Sequence, residues 1–146
     1  MKGRFETLLK VARLKEDAIK REIGQIETHL QAQEERLAFI RRLAEERTRD
    51  LDECRNQPTG LSTLQLYQNF FSGIKQEEGR QQAIIDEIAR RRDETRAQFT
   101  AAARKRRTFE ILMDREILAH KKELAKREIA LLDEAATNQW RKERLR

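Results

Sequence analysis

Two histidines and one cysteine are the side chains of this sequence whose chemistry suits a metal ligand or a nucleophile. His120 has Glu116 and Glu123 about one helical turn away on either side, which could form half of a metal site. A partly exposed histidine beside surface carboxylates explains the same spacing more simply. His29 belongs to a different predicted helix, and the single cysteine, Cys54, is best explained as a small apolar packing residue.

No sequence signature of an enzyme is present. The chain has no glycine-rich phosphate loop, no cysteine pair and no serine nucleophile elbow. We therefore predict a protein that has no catalytic site, no cofactor and no metal ion. Such a protein acts through its contacts with other proteins.

Two runs of basic residues, Arg90–Arg92 and Arg104–Arg107, raise the question of nucleic-acid binding. Consecutive charges on a helix spread around its surface instead of forming one face, and acidic residues flank the first run. Neither run has the interleaved aromatic residues of a single-strand binding platform. A solvated helix surface is therefore the favoured interpretation, and an acidic protein partner stays open.

The composition predicts long helices. Of 146 residues, 40% are charged, one is proline and five are glycine, with a net charge of +6. Apolar residues occur mostly singly or in pairs, so they can form a seam between helices but not a compact core; we predict one domain, 1–146. No stretch approaches the roughly 18 apolar residues of a membrane span. The N-terminus lacks the apolar segment of a signal peptide, so we expect a cytosolic protein.

The first predicted helix, over about 4–56, carries a heptad repeat of a coiled coil. One set of seam positions is Leu9, Glu16, Ile23, Leu30, Leu37, Ala44 and Leu51; the other is Phe5, Ala12, Ile19, Ile26, Gln33, Ile40, Arg47 and Cys54. The polar members weaken the seam, but they can fix its register.

A break follows at about 57–62. Pro58 cannot continue a helix, and Gly60 supplies a permissive backbone for the turn. Ser62 and Gln65 have the spacing of a capping box, with Ser62 as the N-cap of the next helix. A short loop between two long helices predicts an antiparallel hairpin.

The second predicted helix spans about 63–141 and carries its own repeat. Its seam positions are Tyr67, Ile74, Gln81, Ile88, Thr95, Ala102 and Phe109, interleaved with Phe71, Glu78, Ile85, Arg92, Phe99, Arg106 and Met113. After Met113 the repeat slips, and Ile117, Leu124 and Leu131 continue the apolar stripe.

The two predicted helices differ in length, and this difference explains where the slip falls. Folded back from the loop, Arg4 is expected opposite about residue 114, so the last 25 to 30 or so residues project as a single helix about 40 Å long. An isolated helix with an apolar stripe is marginal unless something covers the stripe. We therefore predict a partner site on this overhang.

The start of the second helix concentrates aromatic residues that cannot all face one seam. With Tyr67 and Phe71 directed inward, Phe70 points partly outward. Spacing places Phe70 on one flank of the helix with Ile74, Glu77 and Gln81. Phe70 either widens the core near the turn or contacts a partner, and spacing alone does not choose between these.

Several motifs resemble the FliJ family of flagellar export proteins. The segment Leu66-Tyr67-Gln68-Asn69-Phe70 is similar to that family's Leu-Tyr-Gln-x-Phe signature. Arg104-Lys105 followed by Phe109-Glu110-x-Leu112-x-Asp114-Arg115 resembles its basic-then-acidic stretch, and the C-terminal pattern around Leu132-Asp133-Glu134 is also similar. The chain departs from the family's polar pair at Ile129-Ala130.

The resemblance implies an all-α antiparallel coiled coil, similar to the central stalk of a rotary ATPase, that supports flagellum assembly, motility and chemotaxis. It implies three partners, namely the hexameric export ATPase (FliI), the export gate protein FlhA and export chaperones. The implied gate-binding residues are Phe70, Ile74, Glu77 and Gln81; the implied ATPase contacts are Phe5, Ile117, Leu124 and Leu131. The protein is then a cytoplasmic monomer that reaches the inner membrane only through its partners.

Three alternatives remain from the sequence alone. The equivalent stalk of a virulence secretion system has the same architecture. A generic scaffold coiled coil would instead dimerise in parallel through its first helix. A nucleic-acid binder would show a steep salt dependence of oligonucleotide binding.

Overall fold

The computed structural model describes residues 4–57 and 60–145 and contains two helices, α1 (Arg4–Arg55) and α2 (Leu61–Arg144). The predicted all-α class is confirmed, as is the greater length of the second helix. The second helix begins earlier and ends later than the predicted 63–141. Pro58, to which we attributed the break, lies outside the described residues.

The N-terminus of α2 differs from the predicted capping box. Backbone N–H groups of Thr63 and Leu64 donate to the Gly60 carbonyl, at 3.1 and 3.3 Å, so Gly60 occupies the N-cap position. Ser62 lies inside the helix, where its side chain cannot cap the first turn, and the prediction for Ser62 and Gln65 was wrong. No described glycine has a positive φ, so Gly60 acts as a cap and not as a left-handed turn residue.

The heptad positions predicted from the sequence form the contact between the helices. Every predicted seam position of α2 up to Met113 is buried or half-buried. On α1 the same holds except for Arg47, which is exposed and donates to Asp50 at 2.8 Å. Arg47 departs from the pattern because a guanidinium can reach water and a local carboxylate from a position near the seam.

The chain divides into two compact units. The loop unit comprises residues 18–99, and Leu30, Leu37 and Ile85 form its buried core with Ile88 packed against them. The terminal unit comprises the described residues of 1–17 and 100–146, and Leu9 and Ala12 are its buried apolar residues on α1.

A buried polar layer crosses the seam of the loop unit. The Gln81 side chain is 1% exposed, and its Nε2 donates to the backbone carbonyl of Gln33 at 3.0 Å and to Gln33 Oε1 at 2.8 Å. Sliding one helix along the other would leave the buried Gln81 amide without its partners, at a cost of about 1–3 kcal/mol. The layer therefore fixes the register of the two helices.

Ion pairs on the edges of the seam agree with the same register. On one edge of the loop unit, Glu22 pairs with Arg91 at 3.4 Å and Arg36 pairs with Glu77 at 3.8 Å. A step of two heptads up α1 thus matches a step of two heptads down α2, which confirms the antiparallel orientation. Each exposed pair contributes only about 0.2–1 kcal/mol, so these pairs select the register more than they stabilise the fold.

Replacing Gln81 by Ala should lower the free energy of unfolding by about 1–3 kcal/mol, because it removes two hydrogen bonds across the seam and leaves the half-buried Gln33 amide without its partner. Urea unfolding followed by circular dichroism measures the change. The neighbouring Gln82 is exposed and gives a matched control, for which Gln82→Ala should change stability by less than about 0.5 kcal/mol. Equal effects of the two variants would contradict the role given to the buried layer.

Candidate interaction surfaces

The C-terminal part of α2 extends beyond its packing against α1. Leu9 of α1 and Met113 of α2 line the same surface depression in the terminal unit, so the first turns of α1 lie level with Met113. Glu116 is half-buried, and every described residue from Ile117 to Leu145 is exposed. We call residues 117–145 the overhang; at about 1.5 Å per residue it is about 40 Å long.

The overhang carries large apolar side chains in contact with water. Ile117, Leu124 and Leu131 repeat every seven residues and are 43%, 46% and 65% exposed. Leu118 and Leu132 follow them by one position and are 54% and 70% exposed. Together these residues form an apolar stripe along one side of the helix, interrupted by the exposed Lys121 and Glu128. A stripe of this kind is typical of a helix that is covered by a partner.

At the N-terminal end, the structure places Phe5 in the seam. Phe5 is half-buried, and the guanidinium of Arg4 lies 5.7 Å from the centre of its ring. Our sequence reasoning missed three neighbours on α1, since Leu8, Val11 and Leu14 are 44%, 46% and 60% exposed. Their signal was present in the sequence, because these apolar residues fall between the heptad positions, where a two-helix seam does not need them.

A network of charges crosses the seam of the terminal unit. The Arg106 guanidinium hydrogen-bonds Glu16 on α1 and also Glu110, one turn along α2, at 2.8 Å. Arg13 and Arg107 approach the Glu110 carboxylate at 3.5 Å. The hydrogen bond from Arg106 lowers the pKa of Glu110, and the hydrogen bond to Glu110 raises the pKa of Arg106. This network binds α1 to α2 just before the overhang begins.

In the loop unit, the aromatic residues at the start of α2 pack on one another. The Phe70 and Phe71 rings meet edge to face with centroids 5.7 Å apart, and the Tyr67 and Phe71 rings stack at 6.4 Å. All three residues are half-buried, so Phe70 keeps part of its ring in contact with solvent. Burial raises the pKa of Tyr67, and a hydrogen bond with Cys54 raises it further.

The four residues predicted to bind the gate do not share one environment. Ile74 is half-buried in the seam, and Glu77 is half-buried while pairing with Arg36 at 3.8 Å and with Arg80 at 3.9 Å. Gln81 lies inside the seam against Gln33 and has almost no exposed surface. Phe70, Ile74 and Glu77 therefore retain surface for a partner, whereas Gln81 holds the helices beneath them in register.

The register adds residues of α1 to this flank. Since Arg36 pairs with Glu77, one heptad step along each helix places Leu43 on the same edge as Phe70. Phe39, which is 59% exposed, lies between Arg36 and Leu43 in the sequence and one turn from each. Sequence reasoning missed Phe39 because it treated the helices separately, and which residues share an edge is set only by the pairing between them.

Most residues of the basic runs are engaged in ion pairs within the protein. Arg90 pairs with Glu87 and Glu94 on its own helix, and Arg91 pairs with Glu22 across the seam. Arg106 is engaged by the network described above. These carboxylates compete with phosphate for the same guanidinium groups, which favours the solvated-surface interpretation over nucleic-acid binding.

Two other kinds of site are absent from the part of the chain that the structure describes. No group of three or more His, Cys, Asp or Glu side chains there is arranged to hold a metal ion, and both His120 and Glu123 are exposed. Neither helix contains, in its described residues, a segment long and apolar enough to span a membrane.

Comparisons with known proteins give one result. The family described as Flagellar FliJ protein matches residues 1–145. The comparison with curated proteins and the comparison with solved structures gave no significant match. The resemblance noticed in the Tyr67-Gln68-x-Phe70 motif is thus confirmed over nearly the whole chain.

The charge network predicts an acid-sensitive terminal unit. Because Arg106 lowers the pKa of Glu110 below its ordinary value of 4.5, the ionised carboxylate stabilises the fold above that value. This stabilisation should be lost as the pH falls through the lowered pKa. Urea unfolding at neutral pH and at about pH 3 measures the loss. The variant Glu110→Gln should be less stable than the wild type at neutral pH, and the difference should shrink in acid; a constant difference would contradict the network.

Proposed function

Because this chain belongs to the FliJ family of flagellar export proteins, we propose that it is a stalk connecting the export ATPase to the export gate. In this proposal the overhang and the N-terminal turn around Phe5 contact the ATPase ring, and the flank around Phe70 contacts the gate. The protein catalyses no reaction itself and stimulates the ATPase by binding to it. It works in the cytoplasm at the export apparatus, where it also engages export chaperones. It is attached to the membrane only through its partners.

The observation that carries the proposal is the exposed apolar stripe of the overhang. A helix that leaves Ile117, Leu124 and Leu131 in water loses the stabilisation that their burial provides, about 1.5–3 kcal/mol for each fully buried side chain. A ring of subunits with an apolar central opening would restore that burial on several sides of the helix at once. The exposed Leu8, Val11 and Leu14 on α1 extend the apolar surface of the terminal unit.

The gate contact is supported by a surface of mixed character on the loop unit. Phe39 lies one turn from Arg36 on α1, Phe70 lies two turns from Glu77 on α2, and Arg36 and Glu77 form an ion pair across the edge of the seam. Aromatic residues and arginine are enriched where protein interfaces carry most of their binding energy. The half-buried state of Phe70 and its packing on Phe71 also hold the ring in one orientation, so little conformational entropy is lost on binding.

The buried polar side chains support a role without catalysis. Gln81 is engaged by Gln33, and the Thr95 hydroxyl donates to the Arg91 carbonyl at 2.8 Å. Arg106, at a seam position, is engaged by two carboxylates. Gln81 and Arg106 thus serve the contact between the helices, and the Thr95 hydroxyl is satisfied within its own helix.

Two of the alternatives are less well supported. A parallel scaffold dimer would need the α1 seam, which α2 already covers. The equivalent stalk of a virulence system shares the architecture, but the matching family is the flagellar one.

Shortening the chain after Met113 should leave the hairpin folded and abolish stimulation of the export ATPase, because the seam is kept and the stripe is removed. The rate of ATP hydrolysis by the purified ATPase measures the stimulation, and circular dichroism checks that the hairpin is folded. A chain ending at Asn138 keeps the whole stripe and should still stimulate. Full stimulation by the chain ending at Met113 would refute the role of the overhang.

Phe70→Ala should weaken binding to the cytoplasmic domain of the gate about tenfold or more, as expected for truncation of an aromatic anchor. Its melting temperature should change little, since the ring is only half-buried. Calorimetry measures the affinity, and Phe39→Ala should act in the same direction. Lys75→Ala, at an exposed position on α2, is the control. A collapse of stability in Phe70→Ala with unchanged affinity would make Phe70 a core residue.

A further inference from the structure

Large apolar side chains are rarely exposed in the loop unit. Outside the first turns of α2 (61–66), the described part of this unit exposes two of them, Phe39 at 59% and Ile84 at 45%. The other large apolar side chains there are buried or half-buried. A single exposed isoleucine is common on protein surfaces. The position of Ile84 relative to the proposed gate contact is what gives its exposure a meaning.

Two ion pairs define the edge on which Ile84 lies. Glu22 pairs with Arg91, and Arg36 pairs with Glu77, across the same edge of the seam. Ile84 lies one heptad after Glu77 and one heptad before Arg91 on α2. Residues one heptad apart occupy the same edge of a coiled coil, so Ile84 lies between the two ion pairs.

No side chain of α1 covers Ile84 from across the seam. The α1 position midway between Glu22 and Arg36 is His29, and it is exposed as well. The row of ion pairs is thus interrupted by an isoleucine and a histidine that both remain in contact with solvent. Isoleucine is also a poorer helix former than the Glu and Arg found one heptad away on either side. The folding of α2 therefore gives little reason for an isoleucine at this exposed position.

The opposite edge of the loop unit differs in this respect. Its ion pair joins Glu27 and Arg96 at 2.9 Å. Steps of one and two heptads from this pair reach Glu34, Arg41, Ala89 and Gln82. None of the described residues on this edge is a large exposed apolar side chain. Both Phe39 and Ile84 instead belong to the side of the unit that carries the Arg36–Glu77 pair.

We propose that the gate-binding surface continues along this edge from Phe70 to Ile84, and that Ile84 is its second apolar contact. The inference rests on the proposed function, because it takes the cytoplasmic domain of the gate as the partner. Phe70, Glu77 and Ile84 follow one another at heptad steps, so the surface is continuous with the flank already assigned to the gate. Phe70 and Ile84 are about 21 Å apart along the helix. One interface of standard size, about 800 Å² on each partner, covers that length.

Ile84 takes the place that the family resemblance gives to Gln81. The Gln81 side chain has almost no exposed surface and is engaged inside the seam, so a partner cannot contact it without parting the helices. Ile84 is the next residue of α2 on the edge after Glu77. The surface then has an apolar contact at each end, Phe70 and Ile84, with the Arg36–Glu77 ion pair between them.

Calorimetry with the full-length chain and the cytoplasmic domain of the gate tests the contact. Ile84→Ala should weaken binding about fivefold or more, as expected for an apolar side chain that contributes to an interface. Its melting temperature should change little, since alanine is the better helix former. Ile111→Ala is the matched control, because Ile111 is also an isoleucine of α2 and is 40% exposed, but it belongs to the terminal unit. This variant should bind the gate domain as tightly as the wild type.

The double variant Phe70→Ala/Ile84→Ala tests whether both side chains contact the partner independently. The two residues lie too far apart to touch each other, so the losses of affinity measured for the single variants should multiply. A double variant that binds no more weakly than Phe70→Ala would overturn the inference.

The outcomes separate this inference from the gate function. Weakened binding by Phe70→Ala together with full affinity of Ile84→Ala would overturn the inference and leave the gate contact in place. Equal losses in Ile84→Ala and Ile111→Ala would also overturn it, because the effect would not be specific to this edge. A wild-type protein that does not bind the gate domain would refute the proposed gate contact, and the inference with it.

Discussion

The unequal length of two apolar seams is the constraint on which the rest of this structure depends. The seam of α1 begins near Phe5 and ends near Cys54, whereas α2 carries apolar side chains from Tyr67 to beyond Leu131. An antiparallel hairpin can bury only the length that both helices share. The remainder of α2 is therefore exposed as a consequence of the sequence. Its apolar stripe is the surface whose burial by a partner would contribute most binding free energy.

The polar residues in the seam show why that exposure is reproducible. A purely apolar seam would tolerate a shift of the helices by one heptad, which would change how much of α2 is left uncovered. The Gln33–Gln81 layer and the Glu16–Arg106 pair oppose such a shift, because it would leave buried and half-buried polar groups of the seam without partners. Each unit thus contains a polar contact that holds its own parts of α1 and α2 in register. Polar residues make the seam less stable than an apolar one would be, but they define how much of α2 stays uncovered.

Sequence reasoning recovered most of the fold because heptad periodicity reports directly on burial. It identified the buried Leu30, Ile85 and Thr95 without any structure, and it placed the end of the shared seam near Met113. It misplaced the start of α2, because Gly60 can cap a helix as well as serine can, and local patterns do not decide between them. It also placed Gln81 on the partner surface. The amide is instead buried by Gln33, a contact that only the pairing of the helices reveals.

An apolar stripe that must be exposed in one state and covered in another sets a thermodynamic requirement on its partners. A partner that binds the overhang competes with any other occupant of the same stripe, and the apparent affinity falls by the fraction of chains that are already covered. A weak occupant keeps the free protein soluble at little cost to assembly, whereas a tight one would block it. The charged residues Lys121 and Glu128 interrupt the stripe, so a single helix packed along it gains less binding energy than it would on an uninterrupted Leu repeat. A partner that surrounds the helix contacts more of its surface than one packed helix can, so it can displace a weaker occupant and still bind reversibly.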